Sequence, residues 1–145
     1  MKRSFYVLVG LGLAGFAGCQ GRPPDEAQEL DGTWEQVSME QQGNVVKPQK
    51  EIKLIITGDK FVIKADDKIV AAGTAKRDPS KNPHTVDSTY TEGPDKGKTF
   101  KGIYQRDGDT MKFCRPGSPE DQRPTEFKTT ADSGGFVSVY KRAKE

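Results

Sequence analysis

The sequence predicts an all-β domain, folded as a single antiparallel up-and-down β-barrel of about eight strands. Three observations point there. Turn signals recur roughly every 8–12 residues from Leu30 onward, the rhythm of a barrel or sandwich. Residues Ile52 to Ala65 read as a hairpin with one apolar and one polar face. No stretch beyond residue 19 keeps a helical period. Eight or nine short antiparallel strands in so small a domain expose edges unless the sheet closes, which favours a barrel. A β-sandwich is the alternative.

The chain opens with a different kind of segment. Lys2 and Arg3 precede an apolar run from Phe5 to Ala17, and Gly18-Cys19 ends it. A basic start, a short apolar stretch and small residues before a cut are the layout of a secretory signal peptide. The run is shorter than the ~20 apolar residues that span a bilayer. Phe16-Ala17-Gly18-Cys19 resembles the lipobox of bacterial lipoproteins, with Phe16 where that family usually has Leu. The resemblance implies cleavage after residue 18, lipidation of Cys19 and an acylated amino end. Two or more acyl chains anchor stably where one does not. Residues 1–18 are thus expected as signal peptide and 19–29 as lipidated cysteine and tether. Residues 30–145 are expected as the barrel domain. Pro23-Pro24 lies in the polar tether, which spans roughly 30 Å when extended. The expected location is the cell envelope, on a membrane facing the periplasm or exterior. Gln20 follows Cys19 in place of the Asp that holds some lipoproteins at the inner membrane, which favours the outer one.

Removing residues 1–18 from the 145-residue chain leaves 127 residues, the size of one domain. It also lowers Lys+Arg from 23 to 21, against 21 Asp+Glu. A neutral domain whose charges alternate with apolar residues has no general pull on nucleic acid. With Cys19 assigned to the lipobox, Cys114 stands alone and no disulfide framework exists.

The strands follow in order. Thr33 to Met39 opens the domain. Ile52 to Ala65 turns at Gly58-Asp59, pairing Ile56 with Phe61, Leu54 with Ile63 and Ile52 with Ala65 on the dry face. Lys53 opposite Lys64 and Thr57 opposite Lys60 form the wet face, with Ile55 and Val62 as exceptions. Lys68 to Lys76 and His84 to Thr89 are strand-like. A second hairpin is expected to turn at Asp107-Gly108, a type I′ signal, pairing Tyr104 with Met111 and Gly102 with Phe113. Phe136 to Arg142 closes the domain.

Gly32-Thr33-Trp34 at the first strand resembles the Gly-x-Trp signature of lipocalin-type barrels. In those barrels the Trp closes one end beneath an Arg from the far end of the chain, and Arg142 is the matching candidate. Stacking of a guanidinium on an indole supplies a physical reason. More broadly, the chain resembles a bacterial lipocalin-like domain family of unknown function, abundant in planctomycetes. The matching pieces are Leu30 to Trp34, Gly58 to Phe61, Thr91 to Thr99, Gly102 to Tyr104, Asp107 to Thr110 and Arg123 to Phe127, in the family's order. The resemblance implies a lipocalin-like barrel and no activity.

Constellations that carry chemistry are weak. Gly93 to Thr99 has three residues before Gly-Lys-Thr where a phosphate loop needs four, and a strand follows instead of a helix. His84 is the lone histidine, so no multi-histidine metal site is expected. His84, Asp87 and Ser88 share a strand whose alternation points Asp87 away from the other two. A Cys114–His84 nucleophile is disfavoured because a free Cys beside Phe113 reads as a small hydrophobe. Asp66-Asp67 and Asp107-Gly108-Asp109 supply too few oxygens for calcium and read as turns. The loop from Arg115 to Arg123 reads as a variable connector.

Neither enzyme activity, cofactor nor metal is expected. The inward stripe is Trp34, Leu54, Ile56, Phe61, Ile63, Val70, Tyr104, Met111 and Phe113. The leading expectation is a lipid-anchored binding module that takes a small apolar ligand, with the stripe beyond Trp34 as its lining. The alternative is a self-filled barrel that acts through its loops on another envelope protein. Cavity volume separates them: about 300 Å³ or more favours a ligand, and a packed interior favours a partner.

Overall fold

A computed structural model describes residues 30–144, and the expected signal peptide, Cys19 and tether lie outside them. Nine strands form one antiparallel sheet: β1 (Gly32–Gln41), β2 (Asn44–Val46), β3 (Ile52–Thr57), β4 (Lys60–Ala65), β5 (Lys68–Asp78), β6 (His84–Glu92), β7 (Thr99–Asp107), β8 (Thr110–Arg115) and β9 (Phe136–Arg142). Sequence neighbours pair from β3 through β9, and β9 pairs back onto β1. The result is a closed, eight-stranded up-and-down barrel. The ninth strand, β2, is an extra hairpin arm on the far half of β1, and it was not expected from the sequence.

The first predicted hairpin is observed pair for pair, from Thr57–Lys60 to Ile52–Ala65. The second is corrected. Tyr104 pairs with Phe113 and Arg106 with Met111, so the turn residues are Gly108-Asp109. Gly108 has φ +59°, and Asp109 stays in the ordinary region. Gly at the first central position is the type II′ pattern, not type I′. Moving the pairing by two residues is one full strand period, so each side chain keeps its expected face.

Three bulges curve the sheet. The extra residues are Val37 on β1, Val70 on β5 and Thr91 on β6. A bulge adds one residue, bends its strand and strengthens the local twist, which is what closure of a small sheet requires. Strict alternation from the Asp66-Asp67 turn sets Val70 opposite the inward Ile63. The bulge puts Ala71 there instead, and Val70 is 44% exposed. The expectation that Val70 faces inward is therefore corrected.

The core has three parts. Leu30, Trp34, Ile56, Val86, Tyr104, Met111 and Tyr140 fill one end of the barrel. Phe61, Ala71, Tyr90 and Phe100 fill the other. Ile103, Cys114 and Val137 form a third cluster on the outer surface of β7, β8 and β9, with Phe127 packed on them. Outward strand faces are normally wet. Here the segment from 116 to 135 covers them.

Candidate functional site

The interior, its two ends and the strap over its flank are the places where this fold can act. At the first end, Trp34 is fully buried, and its Nε1–H donates to the Leu30 carbonyl at 2.9 Å. Trp34 and Arg142 are register partners on β1 and β9. The Arg142 guanidinium carbon lies 4.3 Å from the centroid of the Trp34 ring, its Nη1 donates to the Asp31 carbonyl at 3.0 Å, and its Nε sits 3.6 Å from Asp109. The geometry is the stacking that the two residue types favour.

The opposite end holds a second arginine that sequence reasoning left in a connector. Arg115 is the last residue of β8 and points inward. Its guanidinium carbon lies 3.7 Å over Phe100, with Phe136 at 4.9 Å and Tyr90 at 5.3 Å. Asp95, from the turn between β6 and β7, accepts from its Nη1 at 3.2 Å. Tyr90 also sits edge-on between Phe61 and Phe100. Each end is thus closed by a cation on aromatic carbon. The signal in the sequence was the alternation Met111, Phe113, Arg115, which continues the inward face one step further.

Between the ends lies a cavity of about 70 Å³. Leu54, Ile56, Phe61, Ile63, Tyr104, Met111 and Phe113 line it, as the stripe placed them. Val70 does not. Arg77, Ser88, Tyr90 and Tyr140 also line it, and none of these was expected to. The inward aim of Arg77 follows from the Val70 bulge in β5, whereas Ser88 and Tyr90 continue the plain alternation of β6 and Tyr140 that of β9. Burial pushes the Tyr140 hydroxyl up to about 12, against hydrogen bonding with Ser138 and Gln36. Gln36 Nε2 donates to Ser138 Oγ at 2.9 Å, so this buried polar group is satisfied.

The strap from 116 to 135 is buckled at both margins. Arg123 reaches Asp87 at 2.6 Å and the Gly102 carbonyl at 2.8 Å. Thr129 donates from its backbone N–H and its hydroxyl to Glu40, at 2.7 and 2.8 Å. Asp87 faces outward, away from His84 and Ser88, as its spacing required. Cys114 lies beneath the strap, and burial pushes its thiol up to about 11. His84 lies on the inner face, its ring 5.2 Å from that of Tyr104 and its Nδ1 2.9 Å from the Lys81 carbonyl. The two side chains therefore occupy opposite faces of the sheet. Among the described residues, no group of three or more His, Cys, Asp or Glu side chains is placed to hold a metal.

Compared with family models, curated proteins and solved structures, the chain matches none.

Proposed function

We propose that this chain is a lipid-anchored protein of the bacterial envelope whose barrel is a rigid, largely self-filled scaffold that presents its loops to another envelope protein. The lipid anchor rests on the resemblance of Phe16-Ala17-Gly18-Cys19 to a lipobox, and the Cys19→Ala form is expected to be unacylated and released from membranes. The cavity volume carries the choice between scaffold and carrier. About 70 Å³ is far below the ~300 Å³ at which ordinary ligand pockets begin. Stacked arginines close both ends, and a long loop is held fast across the flank. Loops longer than ~12–15 residues are uncommon inside compact domains and are usually either functional or linkers, and this one is pinned at Arg123 and Thr129.

The carrier reading has one observation in its favour, the apolar lining by Leu54, Ile56, Phe61 and Met111. A molecule of lipid size does not fit that space in the closed barrel.

Photo-crosslinkers placed singly in intact cells separate the readings. Glu120 and Gln122 on the strap and Thr57 and Lys60 on β3 and β4, the far wall, are all exposed. A discrete adduct from the strap positions and none from the far wall supports the scaffold. Equal yields from both faces, or none, overturn it.

A further inference from the structure

Among the described arginines that reach the inner surface or ends of this barrel, Arg142, Arg115 and Arg77 are not equivalent. Arg142 and Arg115 each have a ring beneath them and an aspartate beside them. Arg77 has neither. It follows Ala71, Gly73 and Ala75 on the inward side of β5, because the Val70 bulge reset the alternation. One Nη donates to the Gly58 carbonyl. Its Nε is buried without a hydrogen-bond partner. Of the two acids at that turn, Asp31 is engaged with the Gly58 N–H at 2.8 Å, and Asp59 lies within the turn.

Arg77 is half-buried, and only its Nε is fully shut off from water. A partly desolvated guanidinium without an anion is costly in proportion to the water it has lost. Asp31, Asp59 and Tyr104 favour its charge from a distance, yet burial outweighs them and holds its pKa below the usual value. Arg77 lines the 70 Å³ cavity, whose other walls include Leu54, Ile56, Val86 and Met111. Liquid water occupies ~30 Å³ per molecule, and a buried water wants 2–4 polar partners. Water filling this space meets mostly hydrocarbon.

We propose that Arg77 and the cavity beside it form a binding site for a small organic anion, a carboxylate carrying a short aliphatic tail. The carboxylate takes the buried Nε–H, in the forked geometry that guanidinium and carboxylate share. The tail fills the apolar space, and the volume limits it to a few carbons. This site needs no opening of either end wide enough for a lipid, and it is independent of the partner reading.

The test is thermal unfolding of the protein with its N-terminal segment in place, in detergent, at constant ionic strength. Sodium acetate, propionate, butyrate and hexanoate are compared with sodium chloride and 1-butanol. Butyrate at saturation is expected to raise Tm by roughly 5 °C, acetate and hexanoate by less, and chloride and butanol not at all. Arg77→Met is expected to abolish the rise. Ala75→Val, which keeps the arginine and narrows the cavity, is expected to abolish it too, and decides the matter if Arg77→Met does not fold. Absence of any shift overturns the site. So does a shift that chloride or butanol matches, or one that survives in Arg77→Met or Ala75→Val.

Discussion

The guanidinium of Arg115 lies over the ring of Phe100, carbon to centroid 3.7 Å, and closes the end of the barrel opposite Trp34. Its counterpart, Arg142 over Trp34, is the wider stack at 4.3 Å. The Arg115 side chain is 11% exposed and that of Arg142 is 30% exposed, so the first stack is the drier one. A cation–π contact gains as water leaves, from ~0.5–1 kcal/mol at exposed sites to ~2 or more when desolvated.

Arg115→Ala is therefore expected to cost about 2–3 kcal/mol and Arg142→Ala about 1 kcal/mol, read from urea unfolding. Arg115→Lys should restore only a minor part, because an ammonium cannot lie flat on Phe100 while pairing with Asp95. Equal costs for the two alanine variants would contradict the ranking by burial.

Thiol reactivity reports on the strap. Cys114 is 2% exposed and is expected to be inert to a thiol reagent in the native protein. Phe127→Ala uncovers it, and labelling should speed up by at least about tenfold, in line with ~2 kcal/mol of lost packing. Labelling at the native rate would mean that Phe127 is not what shields the thiol.

Glu40 and Thr129 should couple energetically. Hydrogen bonds to charged groups are worth ~1.5–3 kcal/mol, and two are shared here. A double-mutant cycle with Glu40→Gln and Thr129→Val is expected to give a coupling of about 1–2 kcal/mol. A coupling near zero would mean that this buckle of the strap carries no stability.

Alkaline pH should weaken the fold through the same cysteine. Burial raises the Cys114 thiol from an ordinary 9.0 to about 11. A raised pKa means that the folded state favours the protonated form. The contribution is complete below the unfolded value near 9.0 and is lost as pH climbs through about 11. About 2–3 kcal/mol is expected to disappear across that window, at ~1.36 kcal/mol per unit. Stability of Cys114→Ala, followed by urea unfolding across the same range, should fall less steeply.

Gly73 sits where backbones crowd. A Cβ there would meet the Thr89 carbonyl oxygen at 2.1 Å and Phe61 Cζ at 2.9 Å. The oxygen belongs to the paired strand and has nowhere to go. Gly73→Ala is expected to cost about 3 kcal/mol or more, or to prevent folding, as judged by circular dichroism and urea midpoint.

Local chemistry by itself determined much of this protein. The alternation from Ile52 to Ala65 and the Gly-Asp turn set the register of β3 and β4, because the period of two and the two-residue loop leave one solution. Gly32-Thr33-Trp34 and Arg142, at opposite ends of the domain, were legible as a pair through the resemblance to lipocalin-type barrels, and the register of β1 and β9 brings them together. Most of the cavity lining followed from the same alternation. Tertiary structure decided the rest. Closing a small sheet demanded bulges, and their positions at Val37, Val70 and Thr91 depend on curvature that no local pattern encodes. One such bulge turned Val70 outward and Arg77 inward. The strap depended on contacts far apart in sequence, Arg123 with Asp87 and Thr129 with Glu40, whose residue types are ordinary on any surface. Only when the barrel closes do those side chains find a partner.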